Sequence, residues 1–397
     1  MDGSQAVRVP AAPGVLPVQA VTGAALVIDS DEVSAPLPAA QRRHIAVVDG
    51  GSFVLPYLHG LVRALQARGH EVTLYASLTR YNAEFLADLQ EAAPRNAGVH
   101  VIAAPVSGSV APRWRGVPAY LGLLLHLWRH RGDYDSINLQ FSALWPAELL
   151  LWWLLRRQLV YTVHNAVPHG FKGLRHRPTA WIAQCARALV FASRHSKDEF
   201  LRRYGDHWST KATVVPHGLL PLAPGDGVMP YRLLEAPSAL VYWSTVKPYK
   251  GVELFAELGR SPDIKQRGLG LEVHGAWSPA LADLKRDLLG LGVRVDDSYL
   301  SSAELRTLFG RDVVFILPYL DASQSGALFA LLNHGCVVIC SDVGDLGDFM
   351  RRHGLQGLLL RERSAAAVIE CLDYLRSHAA EVQQRLSQAQ AASAWGR

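Results

Sequence analysis

The sequence contains little cysteine and no long run of purely apolar residues. Its four cysteines form no Cys-x-x-Cys pair and lie inside apolar stretches, so we expect reduced core residues rather than disulfides or a zinc site. No uncharged run is both about 18–20 residues long and apolar throughout, because 9–28 contains Pro and Gly and 322–341 contains Ser, Gln, Asn and Gly, which predicts no transmembrane segment. Residues 1–41 are rich in Ala, Val and Pro and lack the basic start of a signal peptide, so we expect a disordered tail. These features favour a cytoplasmic protein.

Charge is unevenly distributed along the chain. The 397 residues carry a formal net charge of +5. Residues 111–211 contain 15 Lys and Arg against 6 Asp and Glu, a local excess of +9, so the rest of the chain carries −4. With 49% hydrophobic and 19% charged residues, the chain is too apolar for disorder and long enough for two domains. The basic part is expected to meet an anionic partner.

Strand-like runs alternate with amphipathic stretches. The first unit, 44-HIAVVDGG-51 followed by 54-VLPYLHGLVRALQARGHEVTLY-75, has the strand, Gly-rich turn, helix and strand of a βαβ unit. Apolar runs rich in β-branched residues then cover 99–106, 135–141, 159–165, 188–193 and 212–218, and a second series covers 239–245, 271–277, 293–297, 313–319 and 336–342. Such runs are typical of parallel strands buried on both faces.

This alternation predicts an α/β protein with two doubly wound, Rossmann-like parallel-sheet domains that face a central cleft. The expected divisions are a tail at 1–41, an N-terminal domain at 42–217, a linker at 218–234, a C-terminal domain at 235–380, and a last helix at 381–397 that can cross back to the N-terminal domain. The cleft between the sheets is the expected ligand site.

Candidate ligand residues follow the strands of the second sheet, because doubly wound sheets bind ligands at the carboxyl ends of their strands. They are Lys247 and Lys250 in VKPYKG, His274 before Gly275, Asp297-Ser298-Tyr299, and the run from Asp321 to Gly326. Ser325 and Gly326 open a helix whose free N–H groups and dipole suit a phosphate, with the lysines as countercharge. The alternative is that Ser325 only caps the helix and the lysines are solvated. We expect a diphosphate site.

Two motifs resemble the donor half of GT-B glycosyltransferases: 243-WSTVKPYKGVELFAEL-258 and 318-PYLDASQSGALFALLNHGCVVICSDVG-344. They are most similar to the β-mannosyltransferases of bacterial exopolysaccharide assembly, such as the xanthan pathway, and more distantly to group 1 glycosyltransferases. In that branch a G-x-I-R-P-Y-K-G motif and an S-G helix start hold the diphosphate of a nucleotide sugar, which implies this role for Lys247, Lys250, Ser325 and Gly326. The segment 161-YTVHNAVPH-169 resembles the T-V-H-N-x-x-P-H segment at the cleft of the same branch.

The chain departs from the family pattern at several positions. Lys247 replaces the arginine of the first motif, and Ser244 replaces its leading glycine. Ala322 and Ala330 stand where retaining enzymes of the broad GT-B family carry two glutamates, and Asp321 is displaced by one position. An inverting enzyme is therefore expected. The alternatives are a retaining UDP-hexose transferase that uses Asp321, and a catalytically degenerate GT-B subunit that serves as a scaffold in polysaccharide assembly.

An inverting transfer needs a general base that takes a proton from the acceptor hydroxyl. His164 and Asp49 end predicted strands of the N-terminal domain at the cleft, and they are the catalytic candidates. The alternatives are a structural histidine at 164 and a carboxylate at 49 that only shapes the Asp-Gly-Gly turn. The expected acceptor or cleft residues are Gly50, Gly51, Asn165 and His169. The family resemblance implies no catalytic metal and no cofactor, and Asp296-Asp297 is only a weak metal-binding candidate.

The basic segments 112–131, 144–158 and 171–177 combine Arg and His with Trp and Leu. This mixture suits the headgroup layer of an anionic membrane, whereas the alternative is ordinary core helices with basic ends. Nucleic acid is not expected, because the aromatics cluster with leucines and no recognition motif is present. The resemblance then implies a peripheral protein of the inner membrane that transfers a hexose, with mannose from GDP-mannose expected, to a polyprenyl-diphosphate-linked oligosaccharide.

Overall fold

A computed structural model describes residues 38–52, 54–78, 83–92, 98–104, 113–142, 144, 147–165, 177–231, 234, 236–322 and 325–394. Residues 1–37 of the predicted tail at 1–41, the cleft candidate His169 and the basic residues 171–176 lie outside these residues, whereas Ala39–Gln41 form a 3-10 turn.

The N-terminal domain is built on a seven-stranded sheet in which every strand pair is parallel. The strand order is β3-β2-β1-β4-β5-β6-β7. Its strands are β1 (His44–Asp49), β2 (Glu71–Ser77), β3 (Val99–Ala104), β4 (Ser136–Phe141), β5 (Leu159–Val163), β6 (Ala188–Phe191) and β7 (Ala212–Val214). Its helices are α1 (Leu55–Ala67), α2 (Ala83–Ala92), α3 (Arg113–Arg129), α4 (Leu149–Leu154), α5 (Arg177–Cys185) and α6 (Arg194–Tyr204).

The C-terminal domain repeats this plan with six parallel strands. The strand order is β10-β9-β8-β11-β12-β13. Its strands are β8 (Ala239–Trp243), β9 (Gly270–His274), β10 (Arg294–Asp296), β11 (Val313–Leu317), β12 (Val337–Ser341) and β13 (Leu359–Leu360). Its helices are α7 (Leu254–Arg260), α8 (Pro262–Gln266), α9 (Ala282–Gly290), α10 (Ser302–Phe309), α11 (Gly326–Asn333), α12 (Gly344–Arg352), α13 (Ala365–Ser377) and α14 (Ala379–Ala392).

The strand composition explains this architecture. All five residues of β11, VVFIL, are buried, and so are all five of β12, because helices cover both faces of the central strands. The expected pair of doubly wound sheets is therefore confirmed. Every strand predicted in the two series is present, although most end one to four residues earlier than predicted. The two-residue strand β13 was not predicted, because it is too short to give a periodic pattern.

Three further features can be compared with the sequence. All four cysteines are buried and free, which confirms the expectation of reduced core thiols. Within the described part of the chain, no helix is both long enough and apolar enough to cross a membrane. The last helix, α14, buries Val382, Leu386 and Ala389 in the C-terminal core, and the carbonyl of Ser393 accepts a hydrogen bond of 3.1 Å from the backbone N–H of Leu219 between the domains.

Candidate functional site

The two sheets turn the carboxyl ends of their strands toward a shared cavity of about 770 Å³. In each sheet the strand order reverses next to the first strand, between β1 and β4 and between β8 and β11, and a doubly wound sheet binds its ligand at this reversal. Pro56, Glu84 and Phe85 line the cavity from the N-terminal domain, and Trp243, Tyr299 and Gly326 line it from the C-terminal domain. The cavity is large enough for a ligand of nucleotide size.

Lys250 is a buried cation beside this edge of the second sheet. It ends a short 3-10 turn, Pro248–Lys250, and is only 8% exposed. Its ammonium nitrogen lies 3.6 Å from the ring centroid of Tyr319 and 5.2 Å from that of Tyr249. No carboxylate among the described residues lies within 4.0 Å of it. A buried ammonium with aromatic neighbours and no carboxylate partner can bind an anion that supplies the missing negative charge.

The turn that carries Lys250 is fixed against the segment that follows β11. Gly251 has a φ of +67°, and a Cβ atom there would overlap the carbonyl oxygen of Pro318. The backbone N–H of Leu320 donates a 2.9 Å hydrogen bond to the carbonyl of Tyr249. The two motifs that the sequence identified, 243–258 and 318–344, are therefore packed against each other.

Ser325 and Gly326 begin α11 at this edge. The hydroxyl of Ser325 accepts the backbone N–H of Leu328 at 3.3 Å, so Ser325 caps the helix, as the alternative interpretation expected. Gly326 is exposed and lines the cavity. The first N–H groups of a helix lack intrahelical acceptors and can bind an anion, so capping by the serine side chain is compatible with phosphate binding.

The remaining donor candidates are placed differently. Lys247 and Asp321 are exposed. His274 is 4% exposed, and its Nε2 lies 2.8 Å from Glu272 Oε2, whose carboxylate also accepts two bonds from the Arg311 guanidinium, at 2.8 and 2.6 Å. The hydrogen bonds from Arg311 and His274 hold the pKa of Glu272 well below its ordinary value. His274 is therefore part of a buried polar network at the end of β9.

The positions of the missing glutamates are occupied by buried alanines. Ala322 is 2% exposed, and Ala330 is 4% exposed and lines the cavity. Neither position offers a carboxylate to a bound ligand. The weak metal candidates are already paired, because Asp297 binds Lys285 at 2.7 Å and Asp296 accepts the hydroxyl of Ser298 at 2.6 Å.

Asp49 ends β1 and is completely buried. Its Oδ1 accepts the backbone N–H groups of Ser52 at 2.9 Å and Gly51 at 3.3 Å, while no donor among the described residues reaches its buried Oδ2. Burial raises the pKa of this carboxyl to about 6, although backbone hydrogen bonds oppose the shift. The turn is tight, since Ser52 has a φ of +50° and a Cβ on Gly50 would overlap the Tyr120 side chain. Asp49 thus shapes the Asp-Gly-Gly turn and keeps one oxygen without a donor.

His164 follows β5 directly and is 6% exposed. Its ring stacks on Phe141, with the centroids 4.6 Å apart, and its Nε2 lies 2.7 Å from Gln140 Oε1. The Gln140 amide nitrogen donates to Asn138 and Thr162, so the amide oxygen faces the histidine and accepts its Nε2–H. In the neutral ring Nδ1 is then the basic nitrogen. Asn165 is partly buried beside it.

Sequence reasoning missed His217. It is 8% exposed, its Nδ1–H donates to the carbonyl of Gly218 at 2.7 Å, and burial lowers its pKa to about 4. Its ring stacks on Phe329 of α11, with the centroids 4.4 Å apart. The Tyr57 ring lies between the two histidines, 5.0 Å from His217 and 5.6 Å from His164. The sequence places His217 only at the end of a predicted strand, because its partners are distant in the chain.

Comparisons with known proteins agree with this geometry. Residues 56–219 match the family model described as Glycosyltransferase Family 4. The solved structure of Anabaena HepE in complex with UDP and glucose is similar over 89% of this chain and 95% of its own, with a TM-score of 0.59 and 18% identity. Sucrose-phosphate synthase from Thermosynechococcus elongatus gives a TM-score of 0.60 and 16% identity over 89% of this chain and 96% of its own. The chain has the GT-B fold.

A third GT-B structure, the catalytic domain of starch synthase IV from Arabidopsis thaliana bound to ADP and acarbose, gives a TM-score of 0.58 and 11% identity over 87% of this chain and 94% of its own. The comparison with curated proteins gave no match. The family match covers the N-terminal domain, whereas Lys250 and Ser325 lie in the C-terminal domain of the GT-B fold. The resemblance to exopolysaccharide β-mannosyltransferases rests on the sequence motifs alone and stays a prediction.

Proposed function

We propose that this GT-B protein transfers a hexose from a nucleotide sugar to a lipid-diphosphate-linked oligosaccharide at the cytoplasmic face of the inner membrane. The observation that carries the proposal is Lys250, a buried ammonium without a described carboxylate partner in the segment that follows β8, whose last residue, Trp243, lines the interdomain cavity. A nucleoside diphosphate leaving group supplies the anion that such a cation lacks. Gly326 at the start of α11 offers backbone N–H groups to the same diphosphate.

The proposed donor is GDP-mannose, on the similarity of the two C-terminal motifs to β-mannosyltransferases. UDP-sugars and ADP-sugars are the competing donors, because the solved structures of similar fold named above contain UDP or ADP. The 2%-exposed Ala322 and the Ala330 that lines the cavity supply no carboxylate for a retaining mechanism of the two-glutamate type. Inversion is therefore the proposed stereochemistry.

In the proposed reaction the bond between the anomeric carbon and the β-phosphate oxygen breaks as the acceptor oxygen attacks from the opposite face. The electron pair leaves with the nucleoside diphosphate, which Lys250 stabilises, and the hydroxyl proton passes to a base. His164 is the favoured base because it follows β5 directly and Gln140 accepts its Nε2–H, so that Nδ1 is the nitrogen without a proton in the neutral ring. Asp49 is the second candidate, but its carboxylate is completely buried, so an acceptor reaches it only after the turn opens.

The membrane part of the proposal rests on an exposed apolar face of the N-terminal domain. Along α3, Val117, Leu121 and Leu125 are 39%, 49% and 46% exposed at a spacing of four residues. On α4, Leu150 and Trp153 are 66% and 47% exposed. We call these five side chains the apolar face. The exposed arginines 129, 131, 156 and 157 lie at the ends of the same two helices, which gives the combination that anionic lipid surfaces attract.

Vesicle sedimentation tests this attachment. The protein is expected to bind vesicles that contain phosphatidylglycerol and to bind pure phosphatidylcholine vesicles much less, since the arginines need an anionic surface. Leu150→Glu should weaken binding at least about tenfold, because it places a charge in the layer that the side chain enters. Leu289→Glu, at a 52% exposed leucine of α9, is the matched control and should leave binding unchanged. Equal loss in both variants would contradict an N-terminal attachment.

The enzymatic proposal is tested by incubating the protein with each donor and a polyprenyl-diphosphate-linked oligosaccharide, and by determining the product anomer by NMR. A β-mannosyl product from GDP-mannose is expected. An α-mannosyl product would show retention, and transfer only from a UDP-sugar would replace the proposed donor. Nucleotide binding without any turnover across the panel would favour the scaffold interpretation. His164→Ala is expected to abolish transfer with little change in donor affinity.

A further inference from the structure

A second cluster of polar side chains lies where two helices of different domains pack together. Helix α6 of the N-terminal domain carries His195, and α12 of the C-terminal domain carries Asp345 and Asp348. One ligand atom from each of these residues lies within 4.8 Å of the other two. His195 Nδ1 is 3.7 Å from Asp348 Oδ2. This group is distinct from the large cavity, and Asp345 and Asp348 line a smaller one of about 210 Å³.

The spacing is close to that of a metal site. Ligands held about 2.0–2.2 Å from a tetrahedral ion lie about 3.3–3.6 Å apart, so the His195–Asp348 pair is already near the required separation. Asp345 and Asp348 are three residues apart on one helix, which places both carboxylates on the same face. His195 is 28% and Asp348 is 40% exposed, so both side chains have room to rotate toward an ion.

The carboxylate of Asp345 provides the second observation. Its Oδ1 is buried and has no hydrogen-bond donor among the described residues. The carboxylate accepts hydrogen bonds from the hydroxyls of Ser193 and Ser196, and the one from Ser196 to Oδ2 is long, at 3.4 Å. The residue is held in place by its backbone, because its N–H donates to the carbonyl of Ala322 at 3.0 Å and the preceding Gly344 packs against the same carbonyl. A buried carboxylate oxygen without a donor is costly, and a cation would satisfy it.

We propose that His195, Asp345 and Asp348 bind a divalent transition-metal ion, with Zn²⁺ as the main candidate, and that this ion ties the N-terminal domain to the C-terminal domain. One imidazole and two carboxylates suit Zn²⁺ or Mn²⁺, whereas Mg²⁺ and Ca²⁺ prefer oxygen ligands alone. Water completes the coordination from the adjoining cavity. The ion has a structural role and takes no part in the proposed sugar transfer.

The competing explanation is an ordinary ion pair of Asp348, which lies 2.8 Å from Arg351 and 3.7 Å from His195. Isothermal titration of the chelator-treated full-length protein with Zn²⁺, Mn²⁺ and Mg²⁺ separates the two. The metal site predicts binding of one equivalent of Zn²⁺, weaker or no binding of Mg²⁺, and a rise in melting temperature with Zn²⁺, because the ion binds only the folded protein. The ion pair predicts no saturable binding and no rise, which would overturn the proposal.

Variants in both domains then test the ligands. His195→Ala and Asp348→Asn are each expected to weaken Zn²⁺ affinity at least about tenfold, and both positions are exposed enough for the variants to fold. His207→Ala removes an exposed imidazole just beyond α6 and is the matched control, so its affinity should match that of the unmodified protein. Zn²⁺ binding that survives both ligand variants would place the ion elsewhere and refute the assignment.

Discussion

Asp49 and His217 are buried ionisable groups whose effects on stability oppose each other. The carboxyl of Asp49 has its pKa raised from 3.8 to about 6, and the imidazole of His217 has its pKa lowered from 6.5 to about 4, in both cases chiefly by burial. At 1.36 kcal/mol per pKa unit, each difference corresponds to about 3 kcal/mol of folding free energy. The two groups titrate over the same range, between about pH 4 and 6.5.

The signs follow from which state binds the proton more tightly. The folded state holds the Asp49 proton more tightly than the unfolded state, so its contribution is complete below pH 3.8 and is lost as the pH rises through about 6. The unfolded state holds the His217 proton more tightly, so that contribution is complete above pH 6.5 and is lost as the pH falls toward 4. The two contributions therefore cancel in large part in the unmodified protein, and substitution of either residue exposes the other.

As the pH rises from 4 to 7, the stability of Asp49→Asn should increase by about 3 kcal/mol relative to that of the unmodified protein. Over the same rise, the stability of His217→Phe should decrease by about the same amount relative to that of the unmodified protein. Each substitution also changes the free energy of unfolding by an amount that does not depend on pH. This amount cancels, because only the change of the stability difference with pH is compared. Urea unfolding at several pH values, followed by circular dichroism, measures it. Asp283→Asn, at a side chain that is 92% exposed, is the control. A stability difference that stays constant with pH for either variant would refute the reasoning.

Two further predictions concern packing and the buried ion pair. Gly251→Ala should destabilise the protein by more than about 2 kcal/mol and weaken nucleotide binding, because it combines a left-handed backbone with overlap at Pro318. The control Gly268→Ala, at a φ of +68° with open space around it, should cost only about 1 kcal/mol. Equal loss of stability for the two variants in thermal unfolding would contradict this prediction. Arg311→Met should lower the free energy of unfolding by about 2–3 kcal/mol in urea unfolding, because it leaves Glu272 buried without its main partner. Adding Glu272→Gln to this variant should recover most of the lost stability. If the double variant recovers none of it, the charge of Glu272 is not the cause of the loss.

Much of the fold and part of the site could be predicted from local sequence. Both sheets were predictable because continuous apolar strands such as β11 carry their own signal, and Lys250 and Ser325 were identifiable because they stand in short motifs after such strands. The partners of these residues were not predictable. Tyr319 under Lys250, Arg311 beside Glu272 and Phe329 against His217 are contacts between separate segments of the chain, and their geometry exists only after folding.

The pKa values of buried groups were also beyond local reasoning. Asp49 was predicted as a candidate base from its position at the end of a predicted strand, but the complete burial that raises its pKa depends on packing by other elements. At Ser325 the sequence presented helix capping and phosphate binding as alternatives. The folded geometry is compatible with both, because the serine side chain caps the helix while other N–H groups at its start can still bind an anion.

The central claim is that Lys250 is the buried countercharge for the diphosphate of a nucleotide-sugar donor. Isothermal titration of GDP and GDP-mannose into the protein and into Lys250→Met tests it most directly, with Lys265→Met, at an exposed lysine of α8, as the control. Removing a buried charge partner is expected to cost about 2–4 kcal/mol, which is about a thirtyfold to thousandfold rise in Kd, while the control keeps its affinity. Equal affinity in Lys250→Met and the unmodified protein would contradict the account.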